Sequence, residues 1–288
     1  MRMESLSPKE ELQYKEKHHI VVDGVLYDKE KGIFTFDFGS DNQSNKVELL
    51  PKTHKIDAFG RCFYYSYEFS PDLDSAIRTQ FIRHIKFEED FSNTDDFKCF
   101  INNAVDSLDK EVCLPLFKTF IYPKSMSELN RKLLSSLSRL SSPDVIEIEM
   151  IKELPQNILF DYERYRVEVL DALQPDGRPR FTEQAKAEAI SIINEIMDDI
   201  HKKDYFSIAR DVKKARYRNY IKNFYKFENE HFESIYRSII NSNVLLFDDI
   251  VTTGTTIYHL LNCLRCVNDS NNIAIYSLIG NDKVKDLF

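Results

Sequence analysis

The sequence has few cysteines, and no stretch of it is a long apolar run. Its five cysteines are odd in number and scattered, unlike the dense, even set of a small secreted disulfide domain, so reduced thiols are expected. The segment Met1 to Lys17 is polar and charged, unlike a signal peptide, and no later stretch approaches membrane-spanning length. We therefore expect a cytoplasmic protein with no membrane contact.

The sequence also lacks an excess of positive charge. It contains 39 Lys and Arg residues against 47 Asp and Glu residues, a formal net charge of -8. Sequence-independent nucleic-acid binding depends on cations that neutralise phosphates, so the net charge does not support a nucleic-acid partner beyond a local basic strip. The 42% hydrophobic content fits a globular protein of one large or two modest domains, and no internal repeat or low-complexity tract is present.

The N-terminal part of the chain has the pattern of β-structure. Apolar and polar residues alternate from His19 to Phe38, and Asp23-Gly24 and Lys31-Gly32 are turn signals within that stretch. This pattern predicts a β-hairpin or a small sheet. We assign residues 1–60 to an N-terminal β-rich segment and residues 61–288 to a second domain.

The second domain alternates strand patterns with helix patterns. Extended patterns predict strands over Arg61–Phe69, Phe117–Tyr122, Val145–Ile151, Val244–Phe247 and Ile273–Ile279. Of these, Phe117–Tyr122 and Val244–Phe247 are expected to be buried. Apolar residues at helical spacing predict helices that begin near Ile77, Leu129, Thr182, Phe232 and Ile257. Such alternation is typical of an α/β fold, with a central parallel sheet flanked by helices.

The motif with the most chemical content covers residues 244–256, which read V-L-L-F-D-D-I-V-T-T-G-T-T. A loop rich in hydroxyls and backbone N–H groups at the start of a helix suits a phosphate. Asp248 and Asp249 would repel a phosphate alone, so the ligand must also present hydroxyls or a metal, as a ribose 5-phosphate does. The alternative is structural: a solvated acid pair followed by a helix N-cap and a turn glycine.

These thirteen residues resemble the signature of type I phosphoribosyltransferases, which bind phosphoribosyl pyrophosphate (PRPP), and every position fits its residue class. The resemblance implies the type I phosphoribosyltransferase fold. It also implies that Asp248 and Asp249 are catalytic, bind the ribose hydroxyls and hold Mg²⁺. The further substrate-binding residues that it implies are Val251, Thr252, Thr253, Gly254, Thr255 and Thr256, with Thr252 to Thr256 around the 5-phosphate.

Within that superfamily the chain is similar to the competence-protein ComF group from about Tyr64 to Phe288. The segment Ala76 to Asp90 resembles a conserved helix of the group, and Arg216, Asn219 and Phe224 match its R-x-x-N-x-x-x-x-F pattern. The group's N-terminal four-cysteine zinc module has no counterpart here. This similarity covers most of the chain but is patchy outside the signature.

The place of the family's pyrophosphate loop is taken by Ile121 to Asn130. By the resemblance, Lys124 and Ser125 supply a cation and a hydroxyl to the diphosphate, although the usual Arg-Gly-Phe-Asn-Gln continuation is absent. Arg216 lies in a basic stretch that would close over the diphosphate. The alternative for that stretch is a solvated basic helix face.

Residues 161–206 have no counterpart in the compact family pattern and are expected to form a helical insertion, a candidate hood over the acceptor or a docking surface. One expected function is transfer of phosphoribosyl from PRPP, with Mg²⁺, to a nitrogenous acceptor such as a nucleobase, with release of pyrophosphate. The alternative is a non-catalytic module that binds PRPP or a nucleotide and acts through a protein partner on residues 1–60 or 161–206, in DNA uptake or phage defence.

Overall fold

The computed structural model describes most of the chain. It covers residues 18–36, 51–58, 60–88, 91, 94–125, 127–213, 215–218, 220–222, 224–226, 235, 237, 239–240, 242–251, 254–265, 272–281 and 284. Within these residues, no helix combines the length and the apolar composition that crossing a membrane requires.

Thirteen strands and eight α-helices are formed by the described residues. In chain order the strands are β1 His18–Val22, β2 Val25–Asp28, β3 Ile33–Phe36, β4 His54–Ala58, β5 Arg61–Glu68, β6 Thr119–Pro123, β7 Asp144–Ile148, β8 Ile151–Lys152, β9 Leu159–Phe160, β10 Ile221–Lys222, β11 Tyr225–Lys226, β12 Asn243–Ile250 and β13 Asn272–Gly280. The helices are α1 Ser75–Phe87, α2 Asp95–Val112, α3 Leu129–Ser138, α4 Tyr162–Tyr165, α5 Glu183–His201, α6 Ile208–Asp211, α7 Ala215–Arg218 and α8 Thr255–Arg265.

The chain divides into two compact units. The first comprises Met1–Ile148, Arg237–Thr252 and Ser270–Lys285. The second comprises Glu149–Tyr236, Thr253–Asp269 and Asp286–Phe288. The chain therefore passes from the first unit to the second within the thirteen-residue motif, between Thr252 and Thr253.

A six-stranded sheet in the order β4-β5-β13-β12-β6-β7 forms the centre of the first unit. All neighbouring strands are parallel except β4, which runs antiparallel to β5. All five residues of β6 and the six central residues of β12 are buried, as expected for parallel strands covered on both faces. Helices α2 and α3 pack against the sheet. The predicted α/β class, with a mostly parallel sheet and flanking helices, is confirmed.

The order of the parallel strands contains one reversal. From β6 the chain continues through α3 to β7 on one side, whereas from β12 it continues to β13 on the other side. Ligands of open α/β sheets bind outside the carboxyl ends of the strands at such a switch point. The carboxyl ends of β6 and β12 are therefore the expected position of a ligand-binding site.

The N-terminal β-structure is a three-stranded antiparallel sheet in the order β1-β2-β3, so the small-sheet form of the prediction is confirmed. The ring of Phe34 packs on those of Phe81 and His84, with centroids 5.2 and 5.0 Å away. Ser70 N donates to Val21 O at 3.0 Å. These contacts join the small sheet to α1 and to the end of β5 in one core.

The second unit has its own core, built around α5 and two short antiparallel pairs, β8 with β11 and β9 with β10. The predicted helix near Thr182 is confirmed as α5, and the Thr182 side chain caps it by accepting from Ala185 N at 3.2 Å. Ile193, Met197 and Ile200 bury one face of this helix. The predicted helix near Phe232 lies mostly outside the described residues.

Candidate functional site

The acid pair, Asp248 and Asp249, lies at the carboxyl end of β12, beside the reversal in strand order. Leu246 of β12 pairs with Ile121 of β6, and Asp248 pairs with Ser277 of β13. Both acids are buried, with 9% of Asp248 and 1% of Asp249 exposed. A solvated loop, the structural alternative for these acids, is therefore wrong.

Asp249 forms an ion pair with a residue distant in the sequence. Lys86 Nζ, from the last turn of α1, lies 2.7 Å from Asp249 Oδ1, and the Lys86 side chain is 21% exposed. The backbone N–H of Ile250 donates to the same oxygen at 2.7 Å. The other oxygen, Oδ2, is buried and has no hydrogen-bond partner among the described residues.

Asp248 has a neutral partner instead of a cation. Asn130, at the start of α3, donates through Nδ2 to Pro123 O at 3.3 Å and to Asp248 Oδ1 at 3.5 Å. Burial, followed by the charge of Asp249, raises the pKa of Asp248 to about 7. Asn130 is 1% exposed, and its Oδ1 has no partner within the described part of the chain.

The four side chains present two open acceptors, Asp249 Oδ2 and Asn130 Oδ1. Buried acceptors without a partner cost free energy, so such oxygens point to a ligand that donates hydrogen bonds or carries positive charge. The described residues include no group of three or more His, Cys, Asp and Glu side chains suited to a metal ion. Two carboxylates do fit Mg²⁺ that is also held by phosphate oxygens, which is how proteins commonly bind it.

The motif continues beyond β12 with different local geometry. Val251 is buried and donates from its backbone N–H to Ile279 O at 2.9 Å. Gly254 has φ +67°, a conformation that favours glycine, and α8 begins at the next residue, Thr255. The start of a helix is a common site for an anion, because the helix dipole is positive at that end. Thr252 and Thr253 lie outside the described residues.

The predicted diphosphate residues are described to different degrees. Lys124 directly follows β6, its side chain is exposed, and its backbone N–H donates to Ile148 O at 2.8 Å. Ser125 is also exposed, and its Oγ accepts from Ser127 N at 3.1 Å. Arg216 belongs to α7 in the second unit, and its side chain lies outside the described part. A role for these residues at a diphosphate stays a prediction.

Two residues of the site were missed by reasoning from the sequence. Lys86 lies within the family-like segment Ala76 to Asp90 and Asn130 ends the proposed pyrophosphate loop, but neither was given a role. Lys86 is 163 residues from Asp249, and Asn130 is 118 residues from Asp248. The local signals were weak: Lys86 lies at the end of an apolar helical stripe, and Asn130 lies in the first turn of the helix that follows a buried strand.

The second unit contains a separate polar cluster, which we call the Arg164 network. It is formed by Arg164, Glu168, Tyr220 and Tyr258, of which Tyr258 lies on α8. Arg164 Nε donates to Glu168 Oε1 at 2.7 Å, Arg164 Nη1 donates to Tyr258 Oη, and Tyr220 Oη donates to Glu168 Oε2 at 3.0 Å. The Arg164 guanidinium also lies over the rings of Tyr220 and Tyr258, 5.4 and 5.5 Å from their centroids. The network ties the first turns of α8 to α4.

His259, also on α8, is buried among aromatic rings. The ring centroids of Phe224 and Tyr225 lie 5.6 and 5.7 Å from that of His259. Burial lowers the pKa of His259 to about 4, so the imidazole is neutral at physiological pH. A neutral imidazole among rings is a core residue and not a candidate acid or base.

The fold and the acid pair together define an α/β protein with a buried polar site at the switch point of a mostly parallel sheet. A comparison with models of protein families found no match to the chain, and a comparison with curated proteins found none either.

Proposed function

We propose that this protein binds PRPP with Mg²⁺ on a type I phosphoribosyltransferase fold and transfers the phosphoribosyl group to a nitrogenous acceptor, releasing pyrophosphate. The observation that carries the proposal is the buried acid pair at the carboxyl end of β12, next to the switch point and with Asp249 Oδ2 open. Buried polar atoms are usually paired within the protein, so the open carboxylate oxygen supports a ligand at this position. A 1,2-diol such as that of ribose supplies the missing donors.

The acid pair would perform two tasks in this reaction. Its oxygens accept hydrogen bonds from the ribose hydroxyls and so fix the orientation of the sugar. Negative charge held beside the ring also stabilises the positive charge that develops on the sugar as pyrophosphate departs. Asn130, whose Nδ2 lies 3.5 Å from Asp248 Oδ1, holds one acid in place and offers its own Oδ1 as an acceptor.

The phosphate groups would be bound by other parts of the chain. The resemblance assigns the 5-phosphate to the segment from Thr252 to Thr256, which leads into α8, and the start of a helix suits an anion. Mg²⁺, when bound, neutralises the diphosphate and makes it a better leaving group. Lys124 and Arg216 are the cations of this chain that we assign to the same diphosphate.

A second candidate function is a module that binds PRPP or a nucleotide without turnover. The observation that favours it is the loop after β6, where the family's usual Arg-Gly-Phe-Asn-Gln continuation is absent. Such a module would act through a protein partner on residues 1–60 or 161–206. Measuring pyrophosphate release with a panel of nucleobases separates the two functions, because only the enzyme releases it.

Calorimetric titration of PRPP with Mg²⁺ tests the binding that both functions share. At pH 8, above the pKa of Asp248 of about 7, we expect Asp248→Asn to weaken binding at least about tenfold, because a hydrogen bond to a charged acceptor contributes roughly 1.5 to 3 kcal/mol. Asp144→Asn, an equal charge change at the exposed amino end of β7, is the matched control and should bind as the wild type does. Absence of PRPP binding in the wild type, or equal binding by Asp248→Asn, would refute the proposal.

A further inference from the structure

The charge of the site is set by Lys86 as well as by the two acids. Lys86 Nζ donates to Oδ1 of Asp249 at 2.7 Å, whereas Oδ2 has no hydrogen-bond partner among the described residues. The helix that carries Lys86 is held in the core by the buried Phe81 and Ile85, which places the base of the Lys86 side chain within reach of Asp249. The contact of Lys86 with Asp249 is thus an ion pair that leaves one oxygen of this carboxylate without a partner among the described residues.

An ammonium beside an acid affects different ligands in opposite ways. It repels a divalent cation that approaches the same carboxylate, and at a few ångströms this repulsion is strong in a partly buried site. A neutral hydroxyl that donates to Oδ2 experiences no such repulsion. An anionic group of the ligand is attracted.

We propose that Lys86 is a selectivity and positioning residue of the acid pair. Its charge opposes the binding of a free divalent cation at Asp249, while its contact with Oδ1 turns Oδ2 toward a hydroxyl donor of the ligand. Divalent cations then enter the site with the phosphates of the ligand and not before them. The ligand's identity rests on the proposed function, whereas the opposition to free cations does not.

A purely structural role of Lys86 predicts a different effect of its replacement on cation affinity. If Lys86 only stabilised the fold, replacing it would lower the melting temperature and leave cation affinity unchanged or weaker. If Lys86 excludes free cations, removing its charge exposes an acid pair with more net negative charge. Cation affinity then rises, which a loss of stability cannot cause.

Titration of the protein with Mn²⁺ alone, followed by the EPR signal of the free ion, tests this role. Lys86→Gln keeps an N–H donor for Asp249 Oδ1 and removes the charge, and we expect it to bind Mn²⁺ at least about tenfold more tightly than the wild type. Lys98→Gln is the matched control, because Lys98 pairs with Asp95 at 3.0 Å on the surface and the net charge changes equally. It should leave Mn²⁺ affinity unchanged. Lys86→Arg retains the charge and should restore the wild-type affinity.

Unchanged or weaker Mn²⁺ binding by Lys86→Gln would overturn the proposal, as would an equal gain in Lys98→Gln. If Lys86→Gln does not fold, Lys86→Arg decides: the wild-type Mn²⁺ affinity supports the role of charge, and a gain refutes it. A parallel titration with PRPP and Mg²⁺ separates this proposal from the proposed function. If the wild type binds no PRPP but Lys86→Gln gains Mn²⁺ affinity, the proposed function is refuted and the role of Lys86 is supported.

Discussion

The acid pair of the first unit and the Arg164 network of the second unit are both clusters of ionisable groups, but only one of them is closed. In the Arg164 network, the hydrogen bonds join the members to one another. At the acid pair, Asp249 Oδ2 and Asn130 Oδ1 are buried without partners among the described residues. A cluster whose members are all hydrogen-bonded stabilises the fold, whereas a cluster with unpaired acceptors is expected to bind a ligand.

His259 shows that an unpaired buried atom is not sufficient to define a site. Its Nε2 has no partner within the described residues, as is true of Asp249 Oδ2. The imidazole, however, is neutral and surrounded by rings, whereas the Asp249 carboxylate is paired with Lys86 and lies at the carboxyl end of a parallel strand. Charge and position in the sheet therefore separate the candidate site from the core.

The largest effect on stability is expected from the titration of His259. Its pKa in the folded protein, about 4, is below the ordinary value of 6.5. The stability contributed by neutral His259 is therefore fully present above pH 6.5 and is lost as the pH falls toward 4, by up to roughly 3 kcal/mol. His259→Leu should not lose stability in this way. The free energy of unfolding of the variant, relative to that of the wild type, should therefore rise as the pH falls from 7 to 5. A difference that does not change with pH, measured by urea unfolding, would contradict this expectation.

Breaking the closed cluster is expected to have the next largest effect. Arg164→Met removes hydrogen bonds to Glu168 and Tyr258 and contacts with two rings, and should lower the free energy of unfolding by about 2 kcal/mol after allowance for partial exposure. Arg131→Met is the control, because Arg131 forms an exposed pair with Glu128 at 3.1 Å. It should lower stability by no more than about 0.5 kcal/mol. Equal losses of stability in the two variants, measured by urea unfolding, would mean that the network stabilises the fold no more than a surface ion pair does.

The smallest effect is expected from the replacement of an aspartate by asparagine at two positions: Asp211, whose carboxylate is fully paired, and Asp248 of the acid pair. Asp211 accepts from Lys203 at 2.8 Å and from Ser207 N at 2.7 Å. Burial by itself would raise the pKa of Asp211, but these bonds and those from Arg210 lower it on balance. Its contribution is thus present above its unfolded pKa and lost as the pH falls. Asp211→Asn should lower the free energy of unfolding at pH 7 by about 1 to 2 kcal/mol.

Asp248→Asn should instead leave stability at pH 7 unchanged or raise it by up to about 1 kcal/mol, because burial disfavours the charged form of Asp248. Thermal and urea unfolding of the two variants check the pair of expectations. A clear loss of stability in Asp248→Asn, similar to that in Asp211→Asn, would show that the acid pair is a structural cluster and would remove the contrast with the Arg164 network.

Much of the fold could be predicted from local patterns, and some predictable elements were overlooked. Helix α2 has a regular apolar stripe, and Thr94 caps it by accepting from Phe97 N at 3.2 Å, so its signals were present in the sequence. Strand β4 was harder to predict, because His54–Ala58 contains charged residues and lies at the edge of the sheet, where β5 is its one partner among the described strands. Edge strands carry weak hydrophobic patterns.

The sequence by itself determined the local geometry of the motif. A buried apolar run makes β12 a strand, the two acids follow at its carboxyl end, and Gly254 permits the positive φ that precedes α8. Only the tertiary structure decided which partners the acids have. The strand order places the start of α3 beside Asp248, and packing of α1 on the core brings Lys86 to Asp249. Periodicity reports which face of an element is buried, but not which distant element covers it, because that choice is made by the packing of the whole unit.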